Sequence, residues 1–127
     1  MSETTTRGIC IHVRPKFLES QSRAEADEFV FAYDIRISNR GEVGAKLESR
    51  HWVITNGDGK AQEVRGPGVV GQQPHLAPGE SFEYTSFCPL DTPVGTMEGS
   101  FQMVDDAGHR FDAQIAPFRL SLPGTVN

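Results

Sequence analysis

The sequence predicts one all-β domain of seven or eight antiparallel strands, arranged as a sandwich or a barrel. Apolar and polar side chains alternate along several segments, turn-forming residues separate these segments at intervals of about 8–12 residues, and no segment has the periodicity of an amphipathic helix. The 127 residues correspond to one domain, and such a domain buries roughly two-thirds of the surface of its unfolded chain. We expect the folded domain to span residues 8–121, with a flexible N-terminal tail at 1–7 and a C-terminal tail at 122–127.

The first two strands precede residue 41. Apolar side chains alternate from Ile9 to Val13, and Pro15 limits this strand because proline cannot donate to a ladder. The segment Asp27–Arg40 is the clearest strand in the chain. Its apolar face consists of Phe29, Phe31, Tyr33, Ile35 and Ile37. The short charged stretch Ser20–Glu28 predicts a loop between these two strands.

The later strands are separated by recognisable turns. Leu47–Thr55 contains a continuous apolar run that predicts a strand covered on both faces, with Trp52 in the core and a bulge near Arg50. Asn56–Gly59 predicts a hairpin turn, since asparagine and glycine accept positive φ angles. Asp105–Gly108 predicts a second hairpin turn. The remaining strands are indicated by Phe82 and Tyr84, by Met97, Gly99, Phe101 and Met103, and by Phe111, Ala113 and Ile115.

Composition excludes some classes of function. The net charge of −5 disfavours a non-specific nucleic-acid binder, and no apolar run approaches the ~20 residues of a membrane span. Met1–Thr6 lacks the basic-then-apolar pattern of a signal peptide, so we expect a cytoplasmic protein. Cys10 and Cys88 are then expected to be reduced and to pack as small hydrophobic residues.

A glycine-rich loop is the first candidate binding site. Gly66–Gly71 has the spacing G-x-G-x-x-G, but Pro74 follows closely and no helix can be assigned, so a dinucleotide-binding fold is rejected. Two interpretations stay open. Successive amides of Gly68–Gly71 form a concave anion site beside Arg65, or the glycines only permit a tight loop. The candidate anion-loop residues are Gly66, Gly68, Val69, Val70, Gly71 and Arg65.

The patterns of metal sites and of nucleophilic catalysis are incomplete. Asp105–Asp112 carries carboxylates and an imidazole, but acidic residues are ordinary in turns. Asn56–Lys60 begins like a calcium loop, yet Pro67 occupies its twelfth position. Gly79–Glu83 lacks the last glycine of a nucleophile elbow, and Cys88 has no nearby histidine. We therefore expect no metal, no cofactor and no enzymatic activity. The remaining polar cluster, Arg50 and His51, is interpreted as part of a solvated strand face.

A longer series of motifs resembles the ApaG family. It begins with Val13-Arg14-Pro15 and Phe17, and it covers almost all of the chain beyond Arg7. The further motifs are Arg50-His51-Trp52, Gly66-x-Gly68-Val69-Val70-Gly71, Gln73-Pro74, Leu76-x-Pro78-Gly79-Glu80, Tyr84-Thr85-Ser86, Thr92-Pro93, Gly95-x-Met97-x-Gly99 and Pro117-Phe118-x-Leu120. Two positions depart from the family pattern: Pro67, where an acidic residue is usual, and Ala116, where proline is expected.

The resemblance implies a fibronectin type III or immunoglobulin-like sandwich and an association with cobalt resistance and magnesium efflux. Similar domains in eukaryotic F-box proteins and in a protein that interacts with DNA polymerase δ imply a protein-interaction module. We therefore expect a non-catalytic module that binds an unidentified protein partner through an edge strand or the Gly66–Pro74 loop, with a homodimer as a further candidate. The alternative implied by the family is nucleotide or pyrophosphate binding at Gly66, Gly68 and Gly71, which Pro67 disfavours because it lacks an N–H.

Overall fold

Alternating side chains build two antiparallel sheets that pack face to face. The computed structural model describes residues 1–124. The first sheet contains β1 (Ser2–Thr6), β2 (Ile9–Phe17), β3 (Phe29–Asn39) and β7 (Ser81–Leu90), in that order. The second sheet has the order β5-β4-β8-β9 and comprises β4 (Ala45–Asn56), β5 (Ala61–Pro67), β8 (Val94–Asp105) and β9 (Arg110–Ser121). The two-residue β6 (His75–Leu76) pairs with the start of β4. The predicted sandwich is confirmed.

The core lies between the sheets and is centred on one tryptophan. Every second residue of β3 from Phe29 to Ile37 is buried, as its alternation predicts. Trp52 of β4 is 3% exposed. Its ring meets the rings of Tyr33 and Phe118 edge-on, with centroids 5.4 and 5.9 Å apart. These contacts join strands of both sheets, so the aromatic cluster holds the two layers together.

The N-terminal tail predicted at residues 1–7 is wrong, because β1 pairs with β2 along its full length. Its inward positions are threonine and serine, which are compatible with a strand but leave no apolar alternation in the sequence. The Thr6 hydroxyl also accepts a hydrogen bond from the amide of Gln114 at 3.2 Å. At the other end, Leu122 packs partly buried against the core, and the rest of the predicted tail at 125–127 lies outside the described residues.

The described residues contain nine strands rather than seven or eight, and three of them lie where the sequence predicted no strand segment: β1, β5 and the short β6. The predicted loop Ser20–Glu28 contains two 3-10 turns, Glu19–Gln21 and Ala24–Ala26. Within residues 1–124, no helix is long and apolar enough to cross a membrane.

Two irregularities shape the second sheet. The register between β4 and β8 shifts between Leu47 and Ser49, close to the bulge predicted near Arg50. The register between β8 and β9 shifts between Met97 and Gly99. Gly99 faces Trp52 across the ladder, and a Cβ there would overlap the carbonyl oxygen of His51. The backbones therefore approach closely at this point, which explains the glycine.

Candidate functional site

The glycine-rich loop follows β5 and closes on its own backbone. Val69 and Gln72 exchange two hydrogen bonds of 2.8 Å, and the residues between them, Val70 and Gly71, have φ angles of +44° and +79°. This is the geometry of a two-residue turn with left-handed central residues. The Gly68 amide donates to the carbonyl oxygen of Glu48 at 2.8 Å. The loop is thereby anchored to β4.

These hydrogen bonds leave fewer free amides for the predicted anion site. Of the four amides from Gly68 to Gly71, the first two donate within the protein, and only those of Val70 and Gly71 lack a partner among the described residues. The Arg65 side chain is 70% exposed and lies 3.7 Å from Glu63 on its own strand. A concave site built from four successive amides is therefore not present, although two adjacent amides remain free at the tip.

Arg50 organises the loop, a role that the sequence does not reveal. Its Nη1 donates to the carbonyl oxygens of Pro67 and Gly68 at 2.9 and 3.0 Å. Gly66 is the residue opposite Arg50 in the ladder, and a Cβ there would lie 2.9 Å from the guanidinium. A Cβ at Gly68, where φ is +59°, would overlap the carbonyl oxygen of Gln72. The structure thus requires glycine at both positions. The predicted solvated face is wrong for Arg50, which binds the loop and is partly buried, and the His51 side chain is also only 21% exposed.

Val70 is the unusual residue of the turn. A β-branched residue rarely adopts a positive φ, and its side chain is 54% exposed. Internal packing can therefore compensate only in part for the backbone conformation, and the residue carries local strain.

The inner faces of the sheets also carry hydroxyl groups. Burial raises the pKa of Tyr33, and a hydrogen bond with Ser86 partly opposes that rise. Burial raises the pKa of Tyr84 further, and its hydroxyl is buried with no hydrogen-bond partner among the described residues. Arg50 is close enough to both phenols to oppose these shifts. Tyr84 is therefore a neutral phenol with an unsatisfied polar atom.

The Asp105–Asp112 turn has the bonds of an ordinary turn. The Asp105 carboxylate accepts from the amides of Ala107 and His109 at 3.0 and 2.9 Å. The His109 amide is the leading cause that lowers the pKa of Asp105. Asp106 pairs instead with His75 at 2.8 Å. Within residues 1–124, no three histidine, cysteine or acidic side chains are grouped so that they could hold a metal ion.

The two cysteines are buried and form no disulfide, as predicted. Desolvation raises the pKa of the Cys88 thiol to about 11. A thiol with such a pKa carries almost no thiolate at neutral pH, so Cys88 is not a nucleophile there.

The four outer strands differ in how they are protected. β1 and β9 pack against each other, so each covers the other's edge. β9 also contains Pro117 and a register shift. β5 is seven residues long, ends on Pro67 and carries exposed Glu63 and Arg65. In contrast, β7 pairs with β3 over ten residues without a register shift, and it pairs with no other described strand. Proteins usually protect such edges with lysine, proline, bulges or covering segments.

The exposed side of β7 carries an apolar side chain. Its outward residues are Ser81, Glu83, Thr85, Phe87 and Pro89. Phe87 is 58% exposed and lies opposite buried Ala32 on β3. The single outward charge, Glu83, lies 3.7 Å from Arg36 on the same sheet face. An unpaired backbone and a large apolar side chain thus share one edge, a combination that single-sequence reasoning cannot locate because it depends on strand order.

The chain is similar to known proteins over most of its length. Residues 19–105 match the family model described as the ApaG domain. The chain is 55% identical to Protein ApaG of Anaeromyxobacter sp. strain K over the full length of both, and 53% identical to Protein ApaG of Pseudomonas putida strain W619 over 94% of each. A crystal structure of a protein called ApaA from Bordetella pertussis is 51% identical and superimposes with a TM-score of 0.90, covering 92% of this chain and 95% of that one.

Proposed function

The chain belongs to the ApaG family, and from that premise we propose that it is a non-catalytic module that binds an extended segment of a partner protein along β7. The observation that carries the proposal is the ten-residue edge of β7, which is paired on one side only and lacks a bulge. An edge of this kind accepts a further strand through main-chain hydrogen bonds. We place the family's association with cobalt resistance and magnesium efflux in the activity of the partner.

Phe87 supplies the apolar contact of this interaction. It is 58% exposed. Fully burying a phenylalanine side chain contributes roughly 1.5–3 kcal/mol, so covering the exposed part contributes about 1–2 kcal/mol. The main-chain bonds add affinity and define the register of the incoming strand, while Phe87 selects an apolar side chain beside it. The glycine-rich loop is a weaker candidate for the same role, because the bonds of Arg50 and Gly68 fix it to its own sheet.

Site-specific crosslinking in cells tests the proposal. A photo-reactive amino acid at Thr85 on the β7 edge should capture one defined protein, and the same probe at exposed Glu98 on the second sheet is the control. Phe87→Lys should abolish capture from position 85, since a lysine blocks edge pairing. Equal capture from both positions, or capture that survives Phe87→Lys, would refute binding along β7.

A second candidate is the binding of a small anion or nucleotide at the Gly66–Gly71 loop. The free amides of Val70 and Gly71 favour it, since adjacent left-handed amides attract anions. Pyrophosphate and ATP should then shift the amide resonances of these two residues, and the Arg65→Met variant should weaken the response. Unmoved resonances at millimolar pyrophosphate would eliminate this candidate.

A further inference from the structure

The C-terminal end of β7 opens into an acidic cavity between the two sheets. The cavity has a volume of about 560 Å³ and lies beside Pro89 and Leu90. Its lining residues are Asp27, Glu28, Ile54, Asn56, Lys60, Ala61, Gln62, Pro89, Leu90 and Asp91. Three carboxylates and one ammonium group therefore face the same space, and the excess is negative.

The carboxylates of this cavity are largely uncompensated. Asp91 accepts one hydrogen bond from the Asn56 side chain at 3.0 Å. The side chains of Asp27 and Glu28 make no hydrogen bond or ion pair with other described residues, and neither does the ammonium group of Lys60. An incoming cation would thus gain new partners without breaking existing ion pairs, which makes the site complementary to a basic side chain.

We propose that the segment bound along β7 is extended and basic, with a lysine or arginine that enters the cavity beyond Pro89 and an apolar residue beside Phe87. The inference rests on the proposed function and specifies the chemistry of the partner. The continuity of the two surfaces supports this inference. The exposed edge of β7 leads directly into the acidic cavity, so one extended segment can reach both. The net charge of −5 also favours encounter with a basic segment.

A second copy of this chain fits the same surface poorly. β7 contains no lysine, arginine or histidine, so a paired β7 offers no cation to the cavity. Antiparallel pairing about a two-fold axis would also bring the start of β7 from one copy, next to Glu80, towards the acidic end of the other. Like charges would then meet, which opposes association.

A library of random ten-residue peptides, selected against the full chain, provides the probe. We expect enriched peptides to alternate apolar and polar residues and to carry lysine or arginine near one end. The triple variant Asp27→Asn, Glu28→Gln and Asp91→Asn should weaken their binding about tenfold, since exposed charge pairs each contribute a factor of roughly two to five. The matched control removes three exposed carboxylates elsewhere, with Glu42→Gln, Glu98→Gln and Asp112→Asn, and should change the affinity less than twofold.

The outcomes separate this inference from the proposed function. Peptides that lose binding in Phe87→Lys but bind the triple variant normally would refute the basic segment and leave edge binding intact. Peptides that bind Phe87→Lys normally would refute edge binding itself, and a library that yields no binder would refute both. Concentration-dependent dimers that dissociate in Phe87→Lys, measured by sedimentation, would show a second copy as the occupant and overturn the inference.

Discussion

Replacing Arg50 by methionine should destabilise the protein by about 2 kcal/mol. The substitution removes two hydrogen bonds, to the carbonyl oxygens of Pro67 and Gly68. A bond to a charged donor contributes roughly 1.5–3 kcal/mol when buried, but Arg50 is only partly buried and water can replace part of the loss. Methionine retains much of the aliphatic stem, so lost packing adds little. For a domain of this size the melting temperature should fall by about 7 °C.

Gly66→Ala tests the same Arg50 contact from the neighbouring strand. Its methyl group would lie within about 3 Å of the Arg50 guanidinium, so the guanidinium must move and lose the same two bonds. We expect Gly66→Ala to cost about 1.5 kcal/mol in the native chain but close to zero in the Arg50→Met background, a coupling of at least ~1 kcal/mol. Alanine also has less backbone entropy to lose in a strand than glycine.

Urea denaturation with an unchanged m-value measures all four members of the cycle. Arg65→Met is the matched control, because Arg65 is exposed and has one 3.7 Å contact, so its cost should be below about 0.5 kcal/mol. The assignment of Arg50 as the organiser of the loop would be refuted by equal costs for the two arginines. Strict additivity of Gly66→Ala and Arg50→Met would refute it as well.

Three further substitutions test separate features. Tyr84→Phe should raise the free energy of unfolding by about 1 kcal/mol, because it removes a buried hydroxyl that has no hydrogen-bond partner among the described residues; an unchanged or lower value in urea denaturation would contradict this. Val70→Asn should raise the melting temperature by relieving about 1 kcal/mol of backbone strain, and an unchanged or lower value would argue against strain. The folded-state pKa of Asp105 is lowered, so its stabilisation is present above the ordinary carboxyl pKa and is lost as the pH falls through the folded value. Asp105→Asn should therefore flatten the acid side of the stability profile, and an identical profile would refute the assignment.

Most of the sandwich could be predicted from alternation, and the exceptions have a physical cause. The apolar residues of β3 face the core because the period of a strand is two, and the apolar pattern at Trp52 predicted its burial. β1 was missed because its inward residues, such as Thr4 and Thr6, are polar while their partners on β2 are apolar. The sheet supplies the apolar environment there, so the strand itself needs no apolar pattern.

The glycine-rich loop shows where spacing stops being informative. The same three glycines are expected of an anion site and of a tight loop, and the two differ only in where the amides point. That direction is set by Arg50, which is sixteen positions from Gly66 in the chain but directly opposite it in the ladder. A one-residue change of register would separate this pair. Only the strand pairing could therefore distinguish the two interpretations.

The position of β7 at a sheet edge likewise depends on strand order. β7 also differs from the other outer strands in having fewer protective features. The other outer strands carry charges, prolines, a register shift or a covering neighbour, all of which prevent unintended pairing. Selection against aggregation acts equally on β7, yet its exposed side keeps Phe87 and has Pro89 only at its second-last position. An edge left open under that pressure supports the proposal that a partner covers it. The acidic cavity at its end then makes a basic segment the occupant to test first.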